Sequence, residues 1–153
     1  LHPRTRTQMF SGHSNWQHLT ELKVCIDIPV IGSGDIFTAQ DAITMFDTTD
    51  CDAVMIARGG YGNPWLIRQT LDRLAGRKAV EPTVTERLTV AMEHLDLSLD
   101  IFGPQKTLGL MRKHLCWYTR GLENAALFRA NINHSGSLSE MRSLLESFFA
   151  DAA

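Results

Sequence analysis

This sequence of 153 residues has few cysteines, no long apolar segment and no large excess of either charge. The three cysteines, Cys25, Cys51 and Cys116, are far apart and show no metal-ligand spacing. This argues against a disulfide framework or a metal centre and predicts reduced, buried packing thiols, as in a cytoplasmic protein. No apolar run approaches the roughly 20 residues of a membrane span, and no basic segment followed by an apolar one marks a signal peptide. We therefore expect no membrane segment.

The composition is that of a globular chain with nearly balanced charge. Hydrophobic residues make up 44%, charged residues make up 21%, and the net charge is -2. This balance excludes a protein that binds polyanions through a strongly basic surface overall, although it leaves room for a local basic face. The length suits one ordinary domain or two small ones. Because the sequence begins at Leu1 rather than at a methionine, we expect it to be a piece of a longer protein.

Two short apolar runs in the first half have the pattern of strands in a parallel sheet. Residues 28–31 end at Gly32-Ser33-Gly34, and residues 53–57 are followed by Gly59 and Gly60. Apolar runs without polar alternation are typical of strands that are covered on both faces. Helices are predicted before, between and after them, with about 24 residues between equivalent strand positions. Two strands cannot form a stable parallel sheet alone, so we expect most of this domain to lie upstream.

The helices of the first half have apolar faces that we expect to point inward. Thr38, with Asp41 three residues later, is predicted to cap the second helix, and Pro64 suits the first turn of the third. The residues assigned to the three inner faces are Trp16, Leu19, Leu22 and Cys25; Ala39, Ala42, Ile43 and Phe46; and Trp65, Ile67, Leu71 and Leu74.

The second half shows helical periodicity only, which predicts a small helical bundle from about residue 82 to 150. Gly103-Pro104 separates its first two helices, a short helix is expected at 125–130, and Ser137 with Glu140 forms a capping box for the last. The inner-face positions are Val84, Leu88, Ala91, Met92, Leu95 and Leu99; Leu108, Met111, Leu115 and Tyr118; and Leu138, Met141, Leu145, Phe148 and Phe149.

The two glycine-bearing loops are candidates for phosphate binding. Gly32-Ser33-Gly34-Asp35 and Ala57-Arg58-Gly59-Gly60 follow consecutive predicted strands. Glycine lets backbone N–H groups approach an anion closely, and a guanidinium pairs with phosphate oxygens in a bidentate way. For a single loop, a simple need to turn explains the glycines equally well. Two such loops in succession, one of them with an arginine, favour a phosphate site.

Positive charge is concentrated in the opening loop and in part of the second half. Between residues 103 and 134 five cations accompany a single acid, Glu123, which gives a local charge of +4. Such a face suits contact with RNA phosphates, and a merely solvated helix face is the alternative. Trp117 and Tyr118 could stack on bases, although their spacing is more typical of a core. The residues assigned to RNA contact are Arg4, Arg6, Arg112, Lys113 and Arg120.

Several motifs, in order along nearly the whole chain, resemble the tRNA-dihydrouridine synthase family. His2-x-Arg4-Thr5-Arg6, with Gln8, Gly12 and Trp16, is similar to a loop of that family. Residues 28–36 resemble its P-V-I-x-N-G-D-I stretch. Residues 51–59 are similar to its C-D-x-V-M-I-G-R-G, and Asn63-Pro64-Trp65 follows. The likeness continues through Met111-Arg112-Lys113-His114, Trp117-Tyr118 and Phe128-Arg129.

The resemblance implies a flavoenzyme whose barrel binds FMN and reduces a uridine in tRNA, with NADPH as the reductant of the flavin. Carried over by position, His2 contacts the flavin, Ser33, Gly34 and Asp35 line its site, and Ala57, Arg58 and Gly59 hold its phosphate. Ser33 stands where the family has Asn, and Ala57 where it has Gly; neither change excludes FMN. The family's catalytic cysteine and a lysine near the flavin come from the earlier half of the barrel. We therefore assign no catalytic residue here and expect residues 1–153 alone neither to reduce uridine nor to hold FMN tightly.

The predicted fold class is α/β, the C-terminal portion of a (β/α)₈ TIM barrel over residues 1–80, followed by a small all-α helical tRNA-binding domain over residues 81–153. Two other functions stay open at this stage. One is a phosphate-binding barrel enzyme that acts on a phosphorylated metabolite, against which the basic second half argues. The other is a non-catalytic RNA-binding module, against which bound flavin would argue. The sequence indicates neither which uridine is modified nor the oligomeric state.

Overall fold

The computed structural model describes residues 1–152, which form two compact units. Unit 1 comprises residues 1–60 and 64–81, and unit 2 comprises residues 61–63 and those from 82 onward. None of the helices within residues 1–152 is long and apolar enough to cross a membrane.

Unit 1 alternates helices with two short strands. In chain order it contains α1 (Gln17–Cys25), β1 (Ile31–Ser33), α2 (Ala39–Thr49), β2 (Ala53–Met55), a 3₁₀ turn (Arg58–Gly60) and α3 (Leu66–Leu74). The predicted cap of α2 is confirmed: the Thr38 hydroxyl accepts from the Asp41 N–H, and the Asp41 carboxylate accepts from the Thr38 N–H. This exchange satisfies two N–H groups that the first turn of a helix leaves without partners.

The two strands are parallel, with Gly32 opposite Val54. The first strand begins at Ile31 and not at Ile28 as predicted. Before Ile31 the Val30 N–H donates to the Asp52 carboxylate at 2.6 Å instead of to a strand carbonyl, while the Val30 carbonyl accepts from the Asp52 and Ala53 N–H groups. Leu1 flanks β1 on its other edge, because its amino group donates to the Ile31 carbonyl at 2.6 Å and its carbonyl accepts from the Ser33 N–H at 3.0 Å. This is the hydrogen-bonding pattern of a parallel neighbouring strand. The chain at Leu1, β1 and β2 therefore occupy three parallel strand positions side by side.

Within residues 1–152, helices cover one face of this sheet. A Cβ at Gly32 would lie 2.7 Å from the Met45 sulfur and 3.2 Å from the Cys51 sulfur, so this face packs tightly on α2 and its flanks. Ile31 and Met55 point to the opposite face, and each is 53% exposed. A parallel sheet usually buries both faces, whereas this second face is open within residues 1–152.

The inner face of α3 differs from the prediction. Trp65 and its neighbour Leu66 are buried, whereas Ile67, Leu71 and Leu74 are each more than half exposed. Two polar residues, Gln69 and Thr70, take their inward positions. Their polar atoms are satisfied, because the Gln69 amide donates to the Val80 carbonyl at 3.1 Å and the Thr70 hydroxyl to the Leu66 carbonyl at 2.8 Å. Hydrogen bonding removes most of the cost of their burial.

The inner face of α1 is only partly as predicted. Leu19 is fully buried and Trp16 and Leu22 pack against the core of unit 1, but Cys25 is exposed. The helix ends at Cys25, and the chain then becomes extended, so that Ile26 packs on the core in its place.

Unit 2 is helical throughout its described part. It contains α4 (Val84–Phe102), α5 (Pro104–Tyr118), α6 (Ala125–His134) and α7 (Leu138–Asp151). The predicted break is confirmed, since Gly103 adopts φ 72° and Pro104 begins α5. Helix α6 extends four residues beyond the predicted segment. At α7 the Ser137 hydroxyl accepts from the Glu140 N–H, while the Glu140 carboxylate accepts from the Gly136 N–H.

The core of unit 2 contains most of the predicted inward positions. Packing joins α4, α5, α6 and α7 to one another. The buried apolar side chains are Ala91, Leu95, Met111, Leu115, Tyr118, Ala125, Phe128, Ile132, Met141, Leu145, Phe148 and Phe149.

Candidate functional site

Three chain segments reach the same edge of the sheet in unit 1. His2 follows the strand position of Leu1, Gly34 follows β1, and Ala57 follows β2. Because the three strand positions are parallel, their carboxyl ends meet at one edge, which is where ligands bind in α/β sheets. A cavity of about 30 Å³ lies there. Its lining includes all seven residues that the sequence assigned to a cofactor, His2, Ser33, Gly34, Asp35, Ala57, Arg58 and Gly59, together with Ile36, Phe37 and Met55.

Gly34 brings the backbone close to two side chains of the opening loop. Its φ is +117°, which disfavours any residue with a side chain. A Cβ there would lie 2.3 Å from the Ser14 hydroxyl and 3.2 Å from Cε1 of His2. The Gly34 carbonyl also accepts from the Trp16 indole N–H at 2.9 Å. The opening loop is therefore fixed against the end of β1.

The Asp35 carboxylate is the centre of the charged network at this edge. It accepts from Arg4 Nη2 at 2.8 and 2.7 Å, from the Ser14 N–H at 2.7 Å and from Arg58 Nη2 at 3.2 Å. Burial by itself would raise the pKa of Asp35, but the Ser14 N–H and the charges of Arg4 and Arg58 outweigh it and lower that pKa. One carboxylate thus faces two guanidinium groups, which leaves a net charge of about +1 beside the cavity.

Arg58 is held in place by two aromatic rings as well as by Asp35. Its guanidinium carbon lies 4.7 Å from the centre of the Phe10 ring and 5.4 Å from that of Phe37. About a third of the Arg58 side chain is exposed, and it also borders an open groove of about 370 Å³. A guanidinium that packs on aromatic rings makes its hydrogen bonds through its N–H edges, so the N–H groups that Asp35 does not use can bind an anion. The sequence analysis missed Phe10 and Phe37, because only the tertiary fold brings their rings to Arg58.

Arg4 lies inside unit 1 instead of on its surface. Only 3% of its side chain is exposed, and besides Asp35 it donates to the Gly12 carbonyl at 2.8 Å. This placement disfavours RNA contact by Arg4, which stays a prediction, because reaching a phosphate would require breaking a buried ion pair. Arg6 in the same loop is exposed.

The basic residues assigned to RNA in unit 2 also divide into two groups. Lys113 and Arg120 are exposed. Arg112 is half-buried and donates from Nη2 to the Ser135 carbonyl at 2.7 Å, which ties α5 to the end of α6. Arg112 is therefore used in holding the helices together, and its contact with RNA stays a prediction.

No cysteine lines the cavity of unit 1 within residues 1–152. Cys25 is exposed, Cys51 is buried and Cys116 is half-buried in unit 2. Burial raises the pKa of the Cys116 thiol, which disfavours the reactive thiolate. In the same residues no three His, Cys, Asp or Glu side chains form a group that could hold a metal ion.

Two partly buried histidines of unit 2 are expected to make its folding stability depend on pH. The ring centres of His94 and His114 are 5.1 Å apart, and Nδ1 of His94 lies 3.2 Å from the Tyr118 hydroxyl. Burial lowers the pKa of both rings, and for His114 the charges of His94 and Lys113 add to this. Both rings therefore bind protons more readily in the unfolded chain than in the folded one. The contribution of the two neutral rings to folding stability is complete above the ordinary histidine pKa of about 6.5, and it is lost as the pH falls through their folded-state pKa values.

We expect the thermal midpoint of unit 2 to fall as the pH is lowered from about 7.5 to about 5.5. A His94→Gln, His114→Gln variant is expected to flatten this dependence. A wild-type midpoint that stays constant over the range would contradict the prediction.

Comparison with known proteins identifies what the chain is similar to. A family model described as dihydrouridine synthase matches residues 1–153. A probable tRNA-dihydrouridine synthase of Rickettsia prowazekii is 37% identical over 134 residues, which cover 87% of this chain and 41% of that protein. A probable tRNA-dihydrouridine synthase 1 of Synechocystis is 38% identical over 99% of this chain and 43% of the relative. The tRNA-dihydrouridine synthase B of Pasteurella multocida is 34% identical over 97% of this chain and 45% of the relative. The chain thus spans less than half the length of these relatives.

Proposed function

This chain belongs to the dihydrouridine synthase family, and we propose that it forms part of a cytoplasmic, FMN-dependent enzyme that reduces specific uridines of tRNA with NADPH. The observation that carries the proposal is the cavity in unit 1. Seven residues assigned to a flavin from the sequence, which lie as far apart as His2 and Gly59, line that one cavity.

We propose further that unit 1 is the closing part of a (β/α)₈ barrel. Three observations on residues 1–152 support this: three adjacent parallel strand positions, helices on one face of the sheet, and half-exposed Ile31 and Met55 on the other face. In a closed barrel the second face points to the interior and is filled by side chains from the other strands. The remaining strands would come from a part of the whole protein that corresponds to the unmatched part of its relatives.

The residues that line the cavity have the chemistry of a binding site for the phosphate end of FMN. Gly34 and Gly59 lie where a Cβ would come within 2.3 Å and 2.1 Å of other atoms, so backbone rather than side chains lines this edge. Exposed backbone N–H groups together with an arginine are the usual partners of a phosphate. Arg58 supplies the charge, and the net charge of about +1 that remains after pairing with Asp35 attracts the anion. Ser33 offers a hydroxyl where the family pattern has an amide.

Bound FMN would supply the hydride that reduces the C5–C6 bond of uracil. The residues of this chain bind and orient it: Arg58 and the glycine loops hold its phosphate, and His2 lies at the end of the neighbouring strand position. Since none of the three cysteines lines the cavity within residues 1–152, we propose that the proton donor to the uracil and the lysine near the flavin come from the rest of the protein.

Unit 2 supplies basic side chains for tRNA. Lys113 and Arg120 are exposed, and the segment 103–134 that contains them carries a local charge of +4 in a chain of net charge -2. Phosphate contacts of this kind provide affinity without reading sequence. This basic segment favours an RNA substrate over a small phosphorylated metabolite.

Replacement of Arg58 tests the proposed function. In the intact protein we expect Arg58→Gln to weaken FMN retention on the order of 10- to 100-fold, because charged hydrogen bonds to the phosphate are lost. The measurement is flavin absorbance per protein after gel filtration, together with dihydrouridine formed in an unmodified tRNA transcript. Arg68→Gln is the matched control, because Arg68 is an exposed arginine of α3 that lines no part of the cavity.

Retention of flavin and activity by Arg58→Gln at the wild-type level would remove this residue from the site. A wild-type protein that purifies without flavin and reduces no tRNA uridine when FMN and NADPH are supplied would overturn the proposed function itself.

A further inference from the structure

Tyr61 and Trp117 form a stacked aromatic pair in unit 2. Their ring centres are 4.4 Å apart and their planes differ by 12°. Tyr61 is 45% exposed, and Trp117 is the one ring it contacts within residues 1–152. Nearly half of the tyrosine therefore remains open to solvent although its ring is stacked. The sequence suggested Trp117 and Tyr118 as stacking residues, but Tyr118 is 6% exposed and belongs to the core.

The backbone next to Tyr61 keeps its ring in this position. Gly62 adopts φ +68°, and a Cβ there would lie 2.4 Å from the carbonyl carbon of Trp117 and 2.5 Å from its carbonyl oxygen. Only glycine allows this approach of the 61–63 segment to α5. Tyr61 is thus a rigid, exposed aromatic side chain, and an ordered ring loses little conformational freedom when a flat partner binds.

The Trp117 ring also contacts other side chains of unit 2. The His114 ring meets Trp117 edge to face at 4.9 Å, and His94 meets His114 in the same way at 5.1 Å. The Lys113 ammonium lies 5.8 Å from the Trp117 ring centre. A cation therefore stands beside the stacked pair, on the segment of the chain that carries the excess positive charge.

We propose that the exposed face of Tyr61 is a stacking platform for an unpaired base of RNA, and that Lys113 contacts a phosphate of the same strand. This inference rests on the proposed tRNA-binding function and names one of its contact sites. Single-stranded and loop regions of RNA are recognised by bases that stack on exposed aromatic rings, with lysine or arginine on the backbone. An exposed, preorganised ring next to a cation has the chemistry of such a site. A tRNA offers unpaired bases in its loops.

The test measures binding of an unmodified tRNA transcript to the intact protein over a range of salt concentrations. We expect Tyr61→Leu to weaken binding about 5- to 100-fold at fixed salt, with no change in the salt slope, because a stacking contact releases no counterions. Tyr61→Phe and Tyr61→Trp keep the ring and are expected to bind as the wild type does. Lys113→Gln is expected to reduce the salt slope by about one phosphate contact.

Phe102 provides the matched control. It is 44% exposed and the Lys106 ammonium lies 4.6 Å from its ring centre, yet it stacks on no ring within the described part of unit 2. Phe102→Leu is expected to leave tRNA binding unchanged. A thermal midpoint for each variant separates a lost contact from a lost fold.

If Tyr61→Leu binds tRNA with wild-type affinity, Tyr61 is not a stacking site, and the proposed tRNA binding is unaffected by that result. Equal losses in Tyr61→Leu and Tyr61→Phe would overturn it as well, because the aromatic face would not be what binds. A wild-type protein with no salt-dependent affinity for tRNA would overturn the proposed function first.

Discussion

Substitution of Asp35 by alanine is expected to destabilise unit 1 by about 3 to 5 kcal/mol, the cost of removing one partner from a buried ion pair. Arg4 is the residue that would be left unpaired, since 97% of its side chain is removed from solvent and its Nη2 donates to both Asp35 oxygens. Its Nε and Nη1 atoms are also buried and have no partner, so the Gly12 carbonyl, which is uncharged, would be the acceptor left to this guanidinium. The Ser14 N–H loses its acceptor as well.

The measurement is denaturant unfolding of the intact protein, followed by tryptophan fluorescence. Trp16 reports on this region, because its indole bonds to the Gly34 carbonyl. Asp72→Ala is the matched control: Asp72 pairs with Arg77, 63% of whose side chain is exposed, and such pairs contribute about 0 to 1 kcal/mol. If Asp35→Ala proves as mild as Asp72→Ala, Arg4 is solvated in the protein and the buried network does not exist.

A second comparison separates the pair from its parts. Arg4→Met together with Asp35→Ala is expected to cost less than the sum of the single changes, because no buried charge is then left unpaired.

The pH dependence of this contribution to stability has a defined sign too. Since the pKa of Asp35 is lowered in the folded protein, its contribution is complete above the ordinary value of 3.8 and is lost as the pH falls through the folded-state pKa.

The edge of the sheet could be predicted from the sequence because its signals are local. A buried apolar run followed at once by glycines indicates where a parallel strand ends, and this happens twice, at Gly32-Ser33-Gly34 and at Gly59. Parallel strand ends meet at one edge whatever the rest of the fold is, so the sequence also predicts that the residues after them come together.

The network behind that edge could not be predicted, because its partners are far apart in the chain. Arg4 and Asp35 are separated by 31 residues, and in sequence each has the appearance of an ordinary solvated charge. The same limit applies to α3, where the apolar pattern predicts an inner face with Ile67 and Leu71. An apolar stripe on a helix does not reveal which neighbour covers it. The structure buries Gln69 instead, since its amide finds the Val80 carbonyl.

Two adjacent glycines of the 3₁₀ turn provide the sharpest test of the proposed phosphate site. A Cβ at Gly59 would lie 2.1 Å from the Ile36 carbonyl oxygen and 3.0 Å from Cα of Phe37, whereas a Cβ at Gly60 meets only a methyl carbon of Ile56 at 4.0 Å. The contact at Gly59 is with backbone that follows β1, so a side chain there can be accommodated only by separating the two loops.

We expect Gly59→Ala to cost about 3 kcal/mol or more, at the upper end of what overpacking causes, and to abolish FMN retention in the intact protein. Gly60→Ala is expected to be neutral or to stabilise by less than about 1 kcal/mol, because it only restricts the unfolded chain. Flavin content and unfolding free energy of the two variants, measured in parallel, check both expectations. Because the substitutions are chemically identical and one residue apart, a difference between them reports on what the added Cβ meets, which at Gly59 is the backbone after β1 together with Leu66. Equal behaviour of the two variants would mean that the glycine loops do not close on each other as the flavin site requires.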